Sequence, residues 1–359
     1  MTRPDSHLAI LGAGPVGLET ALYAEAVGLP FSVYERGEIG EHFNAWGHVK
    51  LFTPWGQNIS PLGRAALLTA RPRSVLPNDS DLMTGREFRD TYLIPLVTQS
   101  PLASRLQTKN VVLRVGRGRS RFRLLVRGPD GKERVDEADF VIDCTGSYHN
   151  PRHLGEGGIP AIGEFGVRDQ IAWGLEDVLG TREKHYADRN ILVVGAGMSA
   201  ATSVCLLATL AAKYPGTWIT WATRSSNSTP LKRPMSDPLR ERDLIAARAN
   251  TLATRGEGNV EFRNASPIEA IESKGKDAGF VVRFTGDAAP LEVERIIANV
   301  GYQPDDRLAH ALGDNRAGYF VLGIKGGGTG FSLSSAQAQI REAFVKITGQ
   351  STDHYRKKG

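Results

Sequence analysis

Two stretches of this chain repeat one plan. "HLAILGAGPVGLETALYAEAVGLPFSVYER", His7 to Arg36, and "NILVVGAGMSAATSVCLLATL", Asn190 to Leu210, each carry an apolar strand into a glycine turn and then a helix. That order builds a phosphate-binding corner. Glycines let the backbone approach a pyrophosphate, and the unpaired N–H groups and positive dipole end of the helix meet its charge. In the first unit Leu8 to Leu11 reads as a buried parallel strand, Gly12-Ala13-Gly14-Pro15-Val16-Gly17 as the turn, and Leu18 to Val27 as a helix. Gly12 permits the tight turn, Gly14 the approach of the phosphates, and Gly17 the close packing of helix on strand. A second strand, Phe31 to Tyr34, ends in Glu35, where a carboxylate accepts hydrogen bonds from ribose hydroxyls; Arg36 follows it in the same site.

The second unit changes two details. Its turn, Gly195-Ala196-Gly197-Met198-Ser199-Ala200, has alanine for the last glycine, and the next strand, "GTWITWATRSS", ends in Arg224 where the first unit has an acid. An acid there repels a 2′-phosphate, whereas a guanidinium pairs with one, so the second site should take NADPH rather than NADH. Lys232 and Arg233 in the following loop could add to that preference; the competing reading of Arg224 is a surface residue at a strand end. Two cradles with different phosphate preferences suit a pair of cofactors, one delivering a hydride and the other, a flavin, receiving it.

The totals agree with a two-domain soluble protein. The chain has 359 residues, 41% hydrophobic and 23% charged. No run of about eighteen apolar residues is free of charges and turn formers, and the N-terminus leads straight into the nucleotide loop, so no membrane span is expected and the location is expected to be cytoplasmic. The net charge of +5 is spread along the chain, and its densest run, Arg114 to Gly128, alternates with apolar residues as the solvated face of a hairpin does. Nucleic acid is therefore not an expected partner, and "HYRKKG" at the C-terminus reads as a frayed tail. Cys144 and Cys205 stand far apart with no CxxC between them, so redox chemistry falls to a cofactor.

These features resemble the two-dinucleotide-binding flavoproteins, the superfamily of flavin-containing monooxygenases and thioredoxin-reductase-like enzymes. The resemblance implies an α/β fold of two Rossmann-like dinucleotide-binding domains, with the NAD(P)H domain, 156–291, inserted into an FAD domain made of 1–155 and 292–359. "DFVIDCTGSYHNP", with Asp143, Thr145 and Gly146, looks like the superfamily's strand-to-turn crossing between domains, and "RIIANVGYQPD" like the return. "GYFVLGIKGGGTGFSLSSAQAQIREAFVKITG" looks like the strand, glycine loop and helix that close over the flavin. Many members follow the glycine with an Asp that holds the ribityl chain; here Gly323 is followed by Ile324. Backbone N–H groups of the Gly326 to Gly330 run would then grip the flavin, unless the run is a flexible lid. "GEIGEHFNAWGHVKLFTPWG" lies where the superfamily runs its loop beside the isoalloxazine, which makes Trp46, His48 and Trp55 pocket candidates, with plain packing as the alternative.

No catalytic triad or carboxylate pair is evident, so the catalytic residues are left unassigned and the chemistry is placed on FAD reduced by NADPH. Without a CxxC a protein disulfide is not the expected acceptor, and oxygen is, giving a monooxygenase of a small organic substrate. The fingerprint of that group is only partly kept: "IPAIGEFGVRDQIAWG" has Gly163 and Trp173, but Arg168 and Asp169 near where a histidine would lie. A reductase of a low-molecular-weight disulfide, resembling the bacillithiol disulfide reductases, is the alternative enzyme, and a non-catalytic flavin and nucleotide sensor the alternative of another class. His149 and His153 have a helical metal spacing, but Pro151 between them reads as loop, and no metal is expected. The turn-rich segment 224–243 is a lid over NADPH or a contact between subunits of a homodimer.

Overall fold

The computed structural model describes residues 6–70, 76–286, 289–328, 333–351 and 354. The chain divides into two compact units, Met1–Asn150 with Gln303–Gly359, and Pro151–Tyr302, so the second is inserted into the first. The crossings differ from those read in the sequence, at 150/151 rather than 155/156 and at 302/303 rather than 291/292. The reason for the second shift lies in one strand. Arg295–Ala298 pairs in parallel with Asn190–Val194 and with Ala172–Trp173, so it belongs to the inserted unit's sheet.

The first unit is built on a five-stranded parallel sheet in the order Tyr319–Val321, Phe140–Asp143, Leu8–Leu11, Phe31–Tyr34, Leu106–Gln107. Every residue of Leu8–Leu11 is buried, because both faces of this strand are covered. Leu8 and Ile10 meet Leu18, Leu22, Ile340 and Phe344 from the helices Pro15–Ala26 and Leu333–Thr348. Ala9 and Leu11 meet Val115, Phe122, Leu124 and Val126 of an antiparallel meander, Val111–Arg117, Phe122–Arg127 and Glu133–Ala138. Arg114, Arg123 and Arg127 point the other way on that meander and are exposed, as the alternation requires.

The inserted unit repeats the arrangement. Its five parallel strands run in the order Val260–Arg263, Trp218–Ala222, Asn190–Val194, Arg295–Ala298, Ala172–Trp173. Ile191 and Val193 face the helix Met198–Lys213 and the Leu252 side of Arg240–Arg255, while Leu192 and Val194 face the antiparallel strands Ile268–Ser273, Phe280–Phe284 and Leu291–Val293. Among the described residues no helix is long and apolar enough to cross a membrane.

An acid also stands within the helix-side core of the first unit. Glu19 lies fully buried on the helix Pro15–Ala26, accepts a hydrogen bond from the Tyr92 hydroxyl, and leaves its other carboxyl oxygen without a partner among the described residues. Burial pushes its carboxyl from the ordinary 4.5 up to about 7, against the opposing hydrogen bonds from Tyr92 and Ser60. The folded state therefore keeps a proton that the unfolded chain releases. Its contribution is complete below about pH 4.5 and is lost as pH rises towards about 7, a change on the order of 3 kcal/mol. Urea unfolding of wild type and Glu19→Gln across this range should show a falling stability in the first and a flatter profile in the second; parallel profiles would refute the buried acid.

Candidate functional site

The first glycine turn owes its shape to two close approaches. Gly12 has φ +99°, and a Cβ there would stand 2.9 Å from the Cys144 carbonyl oxygen; a Cβ on Gly17 would strike the Gly12 carbonyl. Gly14 is different, since a Cβ on it would meet nothing within 4 Å. It occupies the N-cap of Pro15–Ala26 and has no side chain to cap the helix, and Gly14, Pro15 and Val16 line open space. A helix start of this kind, without a side-chain cap, is a place that anions favour.

The space in front of it is a cavity of about 430 Å³. Of the residues assigned to the first cradle, Gly12, Gly14, Glu35, Arg36, Thr145, Gly146 and Gly323 line it, while Gly17 serves the packing behind. Glu35 is buried, with one carboxylate oxygen accepting from Ala13 N–H at 2.7 Å and the other from Gly37 N–H at 2.9 Å. The backbone thus pins the acid at the end of its strand.

The aromatic candidates separate. Trp46 lines the cavity, its ring 4.7 Å from Phe43 and 6.4 Å from Tyr148. Trp55 is instead 1% exposed in the core, against Phe88 and Tyr92, because the short helix it begins turns its indole inward. His48 also stands off the cavity wall, and neither it nor Trp55 serves as a pocket residue. The wall holds His42, Tyr148 and His149, of which only His149 attracted notice in the sequence. Burial, then the charges of Arg36 and His149, holds the His42 imidazole down to about 4. His149 is lowered by burial and Arg36, with its Nε2 3.3 Å from Asp305. Both rings are therefore neutral near pH 7.

Asp143 ends the strand beneath this wall, fully buried. Its Oδ1 accepts from Thr145 N–H and Oγ1–H, and its Oδ2 from the Tyr319 hydroxyl at 2.7 Å and Lys325 Nζ at 2.6 Å. The glycine run after Lys325 does not offer the grip expected of it over its described part. Gly327 and Gly328 donate to the carbonyls of Ile324 and Gly323, closing the loop on itself; Thr329 and Gly330 lie outside the described residues.

In the second cradle Gly195 has φ +138°, and a Cβ would strike the Asn299 carbonyl. Gly197 caps Met198–Lys213 and, like Gly14, has nothing within 4 Å of a Cβ position. Ser199 is exposed in the first turn, and Ala200, fully buried, packs where the first cradle has a glycine. Arg224 is exposed just past Trp218–Ala222, and its guanidinium has no ion pair or hydrogen bond among the described residues. Arg233 is engaged by Asp243 through two hydrogen bonds of 2.8 Å. The loop between is braced by Arg242 on Asp237 and by the Asn250 amide on Leu231.

Other sequence features resolve into structural contacts. Arg168 donates to Glu164 at 2.9 Å and stacks over Trp173, while Glu164, fully buried, also holds His153 and the N–H groups of Leu154 and Ala161. The two histidines of the apparent metal spacing thus have separate carboxylate partners, Asp305 and Glu164.

Residues 9–322 match the family described as pyridine nucleotide-disulphide oxidoreductase. The chain belongs to that family. Solved structures with the same fold include a bacillithiol disulfide reductase from Bacillus cereus, at 17% identity and TM-score 0.70, covering 96% of this chain and 99% of that one. An ornithine N-hydroxylase from Kutzneria sp. 744 aligns at 18% identity and TM-score 0.71, over 97% and 100%. The cadaverine monooxygenase of Erwinia amylovora, solved bound to FAD, aligns at 16% and 0.67, over 97% of each chain. No curated protein sequence matches. Disulfide and oxygen chemistry thus both occur on this family's fold.

The open space at Gly14 separates binding from folding. Gly14→Val should keep the circular dichroism spectrum of wild type and purify without yellow flavin, whereas Gly17→Val, whose side chain collides with backbone, should lose thermal stability as well. Retained flavin in the folded Gly14 variant would remove the cofactor from this cradle.

Proposed function

We propose that this chain is an FAD-dependent oxidoreductase that draws electrons from NADPH and passes them to molecular oxygen, hydroxylating or oxygenating a small organic substrate. FAD belongs to the first cradle and NADPH to the second. The observation that carries the reading as far as a small acceptor outside the protein is the state of the thiols. Cys144 sits in the first unit and Cys205 in the second, and burial pushes them up to about 12 and about 11. Neither is a ready thiolate, and the chain has no third cysteine to form a dithiol within either unit. Electrons must therefore leave from the cofactor to a small acceptor.

Bound FAD supplies two-electron transfer between a nicotinamide and that acceptor. The protein's part is binding and shielding. The uncapped N-terminus at Gly14 takes the pyrophosphate and Glu35 the ribose hydroxyls, with Thr145, Gly146, Gly323 and Arg36 around them. His42, Trp46 and Tyr148 present a wall of neutral rings that keeps water from the reacting end. In the second unit Gly195, Gly197, Ser199 and Ala200 form the phosphate turn, and the unengaged Arg224 is placed to pair with a 2′-phosphate.

A second reading, reduction of a low-molecular-weight disulfide, draws support from the likeness to the Bacillus cereus enzyme along nearly its whole length. Both follow from the same cofactor arrangement and differ in the acceptor. Purified protein given NADPH and a panel of amines and thioethers should consume oxygen and NADPH together with one panel member. NADPH oxidation under argon that requires an added disulfide would establish the reductase instead, and no flavin bleaching by NADPH would leave a sensor.

The nucleotide assignment has its own check. Arg224→Ala should raise the Michaelis constant for NADPH about ten- to a hundredfold, a lost charge-assisted pair, and leave that for NADH nearly unchanged. Equal losses for both nucleotides would overturn the 2′-phosphate contact.

A further inference from the structure

Among the described residues the first cradle is short of positive charge where a pyrophosphate needs it. Its turn, Gly12 to Gly17, contains no Lys or Arg, and the first helical residue is Pro15, which has no N–H to offer. The second cradle starts its helix with Met198 and keeps that donor. Of the arginines on the cavity wall, Arg36, Arg114 and Arg307 are exposed, and Arg307 is committed to Asp305 at 2.7 Å.

Lys325 is the exception. Its side chain is 6% exposed yet lines the same cavity, with Nζ 2.6 Å from Asp143 Oδ2 and 3.4 Å from Thr145 Oγ1. The third N–H of the ammonium has no acceptor among the described residues. Asp143 does not need the lysine as a donor, since Thr145 supplies two hydrogen bonds and Tyr319 a third. Burying an ammonium is costly, and one carboxylate shared among four donors compensates it only in part.

The surroundings place this ammonium beside the glycine turn. Thr145 Cα lies 3.4 Å from the point a Gly12 Cβ would occupy, and Gly323, two residues before Lys325, stands against Val16 within the turn, 3.3 Å from its own Cβ position. The loop carrying Lys325 therefore flanks the phosphate turn on the side of Cys144 and Thr145.

We propose that Lys325 is a phosphate-binding residue of the FAD site: held by Asp143, its ammonium supplies the positive charge that the glycine turn and Pro15 withhold from the cofactor's pyrophosphate. Lysine serves phosphates elsewhere as a compact point charge, and here the carboxylate behind it fixes the head in place. The inference rests on the reading of this cavity as the FAD site and extends it to a residue two positions beyond Gly323, where no Asp is available to hold the flavin.

The test uses deflavinated full-length protein titrated with FAD, ADP and adenosine by calorimetry. In wild type, ADP should bind at least about tenfold more tightly than adenosine; equal affinities would overturn the proposal without any variant. Lys325→Met leaves Asp143 buried and uncompensated, so the decisive protein is the double variant Asp143→Asn with Lys325→Met, which removes both charges and keeps the volume. It should melt near wild type, bind FAD and ADP about ten- to a hundredfold more weakly, and bind adenosine unchanged. Wild-type affinity for FAD in the double variant would overturn the role of Lys325, and weakened FAD with unchanged ADP would overturn the pyrophosphate contact. Wild type that takes up neither FAD nor ADP would refute the reading of the cavity itself.

Discussion

Everything at both cradles depends on backbone meeting backbone without a side chain between. A Cβ at Gly17 would fall on the Gly12 carbonyl, and one at Gly195 on the Asn299 carbonyl. Those approaches set each helix directly behind its strand, and they bring Gly14 and Gly197 to the helix N-caps with nothing in front of them. The backbone N–H groups of a helix's first turn have no partner within the helix, four at Met198–Lys213 and three at Pro15–Ala26, where Pro15 lacks one. A fold that leaves them facing open space has a standing demand for an anion.

The two units answer different sides of that demand with the same architecture, a parallel sheet between helices and an antiparallel meander. Alternate residues of the central strands serve the two cores, Leu8 and Ile10 against helices, Ala9 and Leu11 against the meander. The rigid strand end then presents its last residues as a platform. Asp143 and Glu35 are both strand-end acids with buried carboxylates, yet they do different work. Glu35 is pinned by the N–H groups of Ala13 and Gly37, and Asp143 gathers Thr145, Tyr319 and Lys325.

Burial also decides what the polar residues near the cavity can do. It keeps His42 and His149 neutral, holds both cysteines as thiols, and lets Glu19 keep its proton well above the ordinary carboxylate range. A site lined this way offers shape and apolar cover, with no ready thiolate on its wall. The solved structures that share this fold include both a disulfide reductase and an N-hydroxylase.

The sequence by itself determined the α/β fold and the two glycine turns, and it named Gly12, Gly14, Glu35, Arg36, Thr145, Gly146 and Gly323, which line the cavity at the first of them, because strand, glycine and helix signals are local and each acts within a few residues of its cause. It also carried the contrast between Glu35 and Arg224, which is a matter of charge at one chain position. Contacts between distant segments were decided only by tertiary structure. Trp46 and Trp55 share one aromatic loop, and only packing on Phe88 and Tyr92 sends Trp55 into the core while Trp46 reaches the cavity. Arg295–Ala298 reads as the start of the return, but pairing with Asn190–Val194 makes it part of the inserted sheet. Lys325 looks like one residue of a glycine loop, and its burial on Asp143 depends on a strand 182 positions earlier. Local chemistry can be read along the chain; a partner that far away exists only once the sheet has brought the two ends together.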